Sequence, residues 1–198
     1  MTYSIGKCFY YELHNTWTSI CIGFIIVIKL FVKLSLDDDR IKEVGPNMAC
    51  AEWLMKNGAQ IRWKGCEEFV NHYNCLPIKS RGQQFQIEEV YAGRESSISS
   101  IGFPFFTGCK NISEVAFVGC HTINDEALSK LKILKDNLTT LKINGCMNVT
   151  DKGILTLEHL QALKYLELKN LQFLKNPETI DTIKEKLPEC DVLYEPNE

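Results

Sequence analysis

Apolar residues recur along the second half of this chain at a step of 25 or 26 residues, and no other feature restricts its fold so tightly. Set ISEVAFVGCHTINDEALSKL (residues 112–131) above LTTLKINGCMNVTDKGILTL (138–157). Ile112, Val115, Phe117, Cys120, Ile123, Ala127, Leu128 and Leu131 then fall on Leu138, Leu141, Ile143, Cys146, Val149, Gly153, Ile154 and Leu157. One step further lie Leu163, Leu166, Leu168, Leu171 and Leu174. One step back lie Ile87, Val90, Ala92, Ile98 and Phe106. Self-similarity at such a period predicts a stacked array, in which each unit buries one face against its neighbours.

The common pattern is L-x-x-L-x-L-x-x-C-x-x-[IV]-x-D, which resembles the cysteine-containing leucine-rich repeats. Each L-x-L pair points inward from a short strand. Cys120 and Cys146 fall where the chain leaves the strand, a corner that suits a small side chain whose thiol costs little to desolvate. Thr150 or Asp151 is expected to cap the helix that follows Cys146, and Asn124 or Asp125 the one before it. In the fourth unit Leu171 replaces the cysteine, and a longer amphipathic helix opens near Pro177, as suits a terminal unit. The expected fold is α/β: a short horseshoe of four repeats over residues 85–198, with an N-terminal helical cap domain over 37–84.

In that cap, Pro46 suits a first helical turn and Lys56-Asn57-Gly58 a helix stop. Asp38 or Asp39 can cap a short helix before it. AQIRW reads as a strand leading into a helix over CEEFVNHYNCL. Residues 1–36 stand apart as a hydrophobic leader. The apolar run WTSICIGFIIVI is too short to cross a bilayer, which takes about twenty residues. The leader is a targeting segment or an artefact of the gene model.

Composition narrows the function. Net charge is −3 and no stripe of Lys and Arg forms, so nucleic acid is not an expected partner. Nine cysteines occur without a CxxC or CxC pair, which argues against zinc and dithiol sites and for reduced, buried thiols. Sequons at Asn111, Asn137 and Asn148 are read as chance occurrences in polar loops. No nucleophile–histidine motif or phosphate loop is present, so no catalytic residue is assigned and the chain is expected not to be an enzyme.

What remains is a surface. The residues between inward strand positions should share one concave face: Glu89, Tyr91 and Gly93; Glu114, Ala116 and Val118; Thr140, Lys142 and Asn144; Tyr165, Glu167 and Lys169. From this order the face is expected to run from acidic to mixed and basic, and to orient a partner of complementary charge.

The stretch DDDRIKEVGPNMACAEWLMKNGAQIRWKG (37–65) resembles the coupling factor B family, also called the subunit s family of mitochondrial ATP synthase. The resemblance continues through HYNCLP (72–77), SSIGF (99–103), CHTIND (120–125), NVTDKGI (148–154) and LKYLEL (163–168). It implies a helical domain followed by four leucine-rich repeats, peripheral on the matrix side of the mitochondrial inner membrane. The implied role is binding the membrane sector of the proton-translocating ATP synthase and supporting its coupling. Two alternatives are an assembly factor for the membrane arm of respiratory complex I and an F-box-type adaptor for a ubiquitin ligase. The resemblance also implies a Mg²⁺ ion between the cap and the first repeat, at positions that fall on Gly58 and Gly93. The second is threonine in the family, so only backbone atoms could bind here. A family C-x-C pair is likewise reduced to Gly119-Cys120.

Overall fold

The computed structural model describes residues 38–77 and 85–196, all within one compact unit spanning Leu36–Glu198. The hydrophobic leader lies outside the described residues. Two helices open the fold, α1 over Asp38–Val44 and α2 over Pro46–Lys56. Pro46 occupies the first helical turn of α2, where its missing N–H leaves no hydrogen bond unmade. The expected stop also holds: Asn57 closes the last turn and Gly58 takes φ 77°, a left-handed conformation. Residues Ala49 to Met55 are all buried, including Glu52. That carboxylate is held by Arg40 of α1 through Nη2–Oε1 at 2.5 Å and Nε–Oε2 at 3.1 Å, a two-point clamp that fastens α1 to α2.

Strand β1, Gln60–Trp63, follows as expected, but the helix over CEEFVNHYNCL does not form. Gly65 turns the chain with φ 79°, and Phe69–Val70 comes back as a short strand, β2, antiparallel to β1. Only one 3-10 turn, Tyr73–Cys75, is helical. The aromatic and β-branched pair at 69–70 finds Ile61 and Arg62 as partners, and that pairing wins over helix propensity.

Five further strands and three helices complete the fold. Strand β3 is Ile87–Ala92, followed by a 3-10 helix over Ser100–Phe106 and strand β4, Glu114–Val118. Helix α3 (Asp125–Lys130), strand β5 (Thr140–Asn144), helix α4 (Asp151–Leu155) and strand β6 (Tyr165–Lys169) come next. Helix α5 (Pro177–Lys186) and strand β7 (Asp191–Glu195) end the chain. Together they make a mixed α/β structure on one seven-stranded sheet of order β2-β1-β3-β4-β5-β6-β7. The first two pairings are antiparallel and every later one is parallel. The cap region and the repeats therefore share a sheet.

The parallel register reproduces the repeat step. Glu89, Glu114, Thr140, Tyr165 and Asp191 stand in one row across the sheet. Behind them run Val90, Val115, Leu141 and Leu166, then Ala92, Phe117, Ile143 and Leu168, all buried. At the strand ends, Gly119, Gly145 and Asn170 take φ of 66°, 64° and 52° at equivalent positions. Glycine adopts that conformation without penalty, and asparagine is the side chain that tolerates it best. The following residue, Cys120, Cys146 or Leu171, turns into the core.

Asn124 and Thr150 are the helix caps, accepting from Ala127 N and Lys152 N. The neighbouring aspartates reach forward into the next unit instead. Asp125 accepts from Thr150 N at 2.8 Å and Thr150 Oγ1 at 2.7 Å. Asp151 accepts from Lys175 N, Asn176 N and Thr179 Oγ1. An aromatic cluster closes the other end of the array: Trp53 stacks on Phe105 at 5.5 Å and meets Phe106 edge-on, while Phe103 stacks on Phe117.

Candidate docking face

Alternation along the strands leaves every second side chain on the outer side of the sheet. Apart from Gly93, which follows the end of β3, the residues expected there do share that face. One row carries Glu89, Glu114, Thr140 and Tyr165; the next carries Tyr91, Ala116, Lys142 and Glu167; the third carries Val118, Asn144 and Lys169. Strand β7 adds Asp191, Leu193 and Glu195, and β1 adds Arg62 opposite Glu89. None of these additions was visible as part of the face, because DVLYE lies beyond the repeat pattern and β1 runs antiparallel to it.

The charges are not laid out as a gradient. Lys142 Nζ sits 2.5 Å from Glu114 Oε1, across the β4–β5 pairing. That hydrogen bond pushes the lysine above its usual range, and the charges of Glu167 and Glu89 add to the effect. Lys169 pairs with Glu195 at 2.9 Å and lies 3.8 Å from Glu167, whose carboxylate also accepts from Tyr165 Oη at 3.2 Å. Arg62 holds Glu88 at 2.8 Å and also Glu89. Both acids reach it because Glu88 is the extra residue of a bulge opposite Arg62/Trp63. Cross-strand pairing thus replaces the acidic-to-basic run expected from sequence order.

At the C-terminal ends of β3–β6 the face falls into an open groove of about 690 Å³. Tyr91, Arg94, Val118, Gly119, Asn144, Gly145, Met147, Asn170 and Gln172 line it. Asn170 Nδ2 donates to Asn144 Oδ1 at 2.9 Å. Gly93 leaves room for the Tyr91 ring, since a Cβ there would stand 3.3 Å from the ring edge.

Gly58 and Gly93 meet through Ser96. Ser96 Oγ donates to Gly58 O at 2.8 Å, and Ser96 N–H donates to Gly93 O at 3.0 Å. What this junction offers a cation is backbone carbonyl oxygen already engaged with serine. Mg²⁺ is usually held through carboxylates in a strict octahedron. No cluster of three or more His, Cys, Asp or Glu suited to a metal occurs among the described residues. The residues present are a poor fit to a magnesium ion.

Nor does the thiol chemistry favour catalysis. Cys120 and Cys146 are fully buried. Burial pushes Cys146 up to about 12, so it stays a thiol at neutral pH and is a poor nucleophile. Burial likewise lifts Cys190 to about 11 and Cys50 well above the usual thiol range. His121, beside Cys120 in sequence, is exposed while the thiol faces inward. Among the described residues no helix is long and apolar enough to cross a membrane.

No family model matches the chain. It is 37% identical over 161 residues to ATP synthase subunit s, mitochondrial, of Bos taurus, an alignment covering 79% of this chain and 80% of that protein. The protein of the same name from Homo sapiens is 36% identical over the same span, and that of Rattus norvegicus 38% identical over 146 residues, covering 72% of each chain. At this identity and coverage, the chain belongs to the family of the mitochondrial ATP synthase subunit s proteins.

Proposed function

We propose that this chain is a non-enzymatic accessory of mitochondrial ATP synthase that docks peripherally on the membrane sector, on the matrix side of the inner membrane, and supports coupling. The observation that carries the reading is the 36–37% identity over 161 residues to proteins named as that synthase's subunit s. The repeats are read as a four-unit leucine-rich-repeat horseshoe, supported by the parallel register at the repeat step and by the recurring left-handed corner at Gly119, Gly145 and Asn170. A broad, partly exposed sheet face without a cluster of reactive groups suits protein docking better than chemistry. Glu89, Tyr91, Glu114, Lys142, Asn144, Tyr165, Glu167 and Lys169 are its contact residues. The magnesium ion expected at Gly58 and Gly93 forms no part of this reading, because the Ser96-engaged carbonyls fit it poorly and docking does not depend on it.

Native-gel separation of gently solubilised mitochondria tests the reading, with the chain blotted beside markers for ATP synthase and complex I. Co-migration with ATP synthase is the expected result. Co-migration with complex I intermediates instead would move the role to assembly of that complex, and absence from mitochondria would end both readings.

A further inference from the structure

We propose that the groove at the C-terminal ends of β3–β6 receives an extended, Asp- or Glu-bearing peptide segment of the partner, with Arg94 as the residue that binds its carboxylate. The proposal rests on the docking role above and names the chemistry of its contact.

The groove's lining differs from the rest of the face. Glu89, Glu114, Glu167 and the two lysines are tied to one another or to Arg62, whereas Arg94 is the single charged residue of the groove and has no acid beside it in the lining. Among the described residues Arg94 makes no ion pair and no side-chain hydrogen bond, and it is exposed. Its Nε lies 3.6 Å from where a Cβ on Gly119 would stand, so the absence of that side chain leaves the guanidinium room against the floor. A planar guanidinium with free N–H groups is the best protein donor to a carboxylate.

The neutral groups point to a peptide rather than a phosphate-rich headgroup. Asn144, Asn170 and Gln172 can donate to and accept from a peptide backbone, and Val118 and the half-exposed Met147 offer apolar contact. A lone cation is too little for a polyanionic surface, which is held by several. The ends of four strands at about 4.8 Å spacing span roughly 14 Å, which is the reach of about four extended residues.

The test uses the full-length chain and purified, detergent-solubilised ATP synthase. Wild-type chain should bind the complex, and R94Q should weaken binding about tenfold while melting like the wild type, because Arg94 supports no other residue. A second variant carries a benzophenone amino acid in place of Met147. Its cross-link, mapped by mass spectrometry, should fall within about four residues of an Asp or Glu in a synthase subunit. If wild type binds but R94Q binds equally well, or the cross-link lands in a segment without acid, the groove proposal is overturned and the docking role stands. If wild type does not bind the complex at all, the docking role itself falls. Arg94-dependent binding to protein-free vesicles of phosphatidylcholine with a fifth cardiolipin would overturn the peptide in favour of a membrane.

Discussion

Single residues set the joints of this array, and Asp151 shows how. Its carboxylate is partly buried, which works against the ion. The hydrogen bonds from Thr179 Oγ1, Lys175 N and Asn176 N outweigh that cost and hold the group below the ordinary aspartate range. An unfolded aspartate titrates near ~3.9. The tie therefore contributes fully above that value and is lost as pH falls through it towards the lower folded value. We expect Asp151→Asn to lower stability by about 1–2 kcal/mol at pH 7, because amide acceptance is weaker than carboxylate acceptance. The gap to wild type should narrow below about pH 3.5, as urea melts at both pH values will show. Adjacent polar residues such as Thr150 and Asp151 look interchangeable as caps in a sequence. Only the position of the next unit, one repeat step away, reveals that one caps and the other ties.

At the scale of elements, the segment Ser100–Phe106 takes the place that helices α3 and α4 fill in later units. It does so as a 3-10 helix with Pro104 inside, and packs Phe103 and Phe106 against Trp53 of α2. Gly102 makes that contact possible: a Cβ there would stand 2.2 Å from the Trp53 ring. Gly102→Ala should therefore destabilise the chain by about 1–3 kcal/mol through overpacking, with a changed tryptophan near-UV signal, measured by thermal melting and circular dichroism. A melting curve indistinguishable from wild type would mean that the ring moves aside freely. The repeat strands and α2 were legible because apolar spacing and Pro/Gly punctuation act locally. The β2 strand was not, because two residues are too few to show an alternation, even though their partners Ile61 and Arg62 lie just across the turn at Gly65. Strand β7 was missed for a related reason: its alternation is faint, with Val192 and Tyr194 only half-buried.

On the scale of the whole molecule, the face was legible as a set of residues but not as an electrostatic object. Sequence order places Glu114 and Lys142 in different units, while the parallel register sets them diagonally on adjacent strands, where their side chains meet. The same distinction applies to the magnesium expectation, which a match at Gly58 suggests and a Ser96-filled junction does not favour. An ion bound to the fold with a dissociation constant near ~0.5 mM would add roughly 1.4 kcal/mol at ~5 mM MgCl₂, or about 3–5 °C in Tm for a chain of this size. We expect a shift below about 1 °C by differential scanning fluorimetry, and a shift of several degrees would restore the site.

The paired charges of the face have a kinetic consequence. Five acids (Glu88, Glu89, Glu114, Glu167 and Glu195) share three cations (Arg62, Lys142 and Lys169), so pairing holds the side chains in place but leaves the face with an excess of negative charge that reaches into solvent. Encounter should then depend on ionic strength, in the sense set by the charge that the partner presents to this face. Persistence on the partner would be governed by how slowly the complex comes apart.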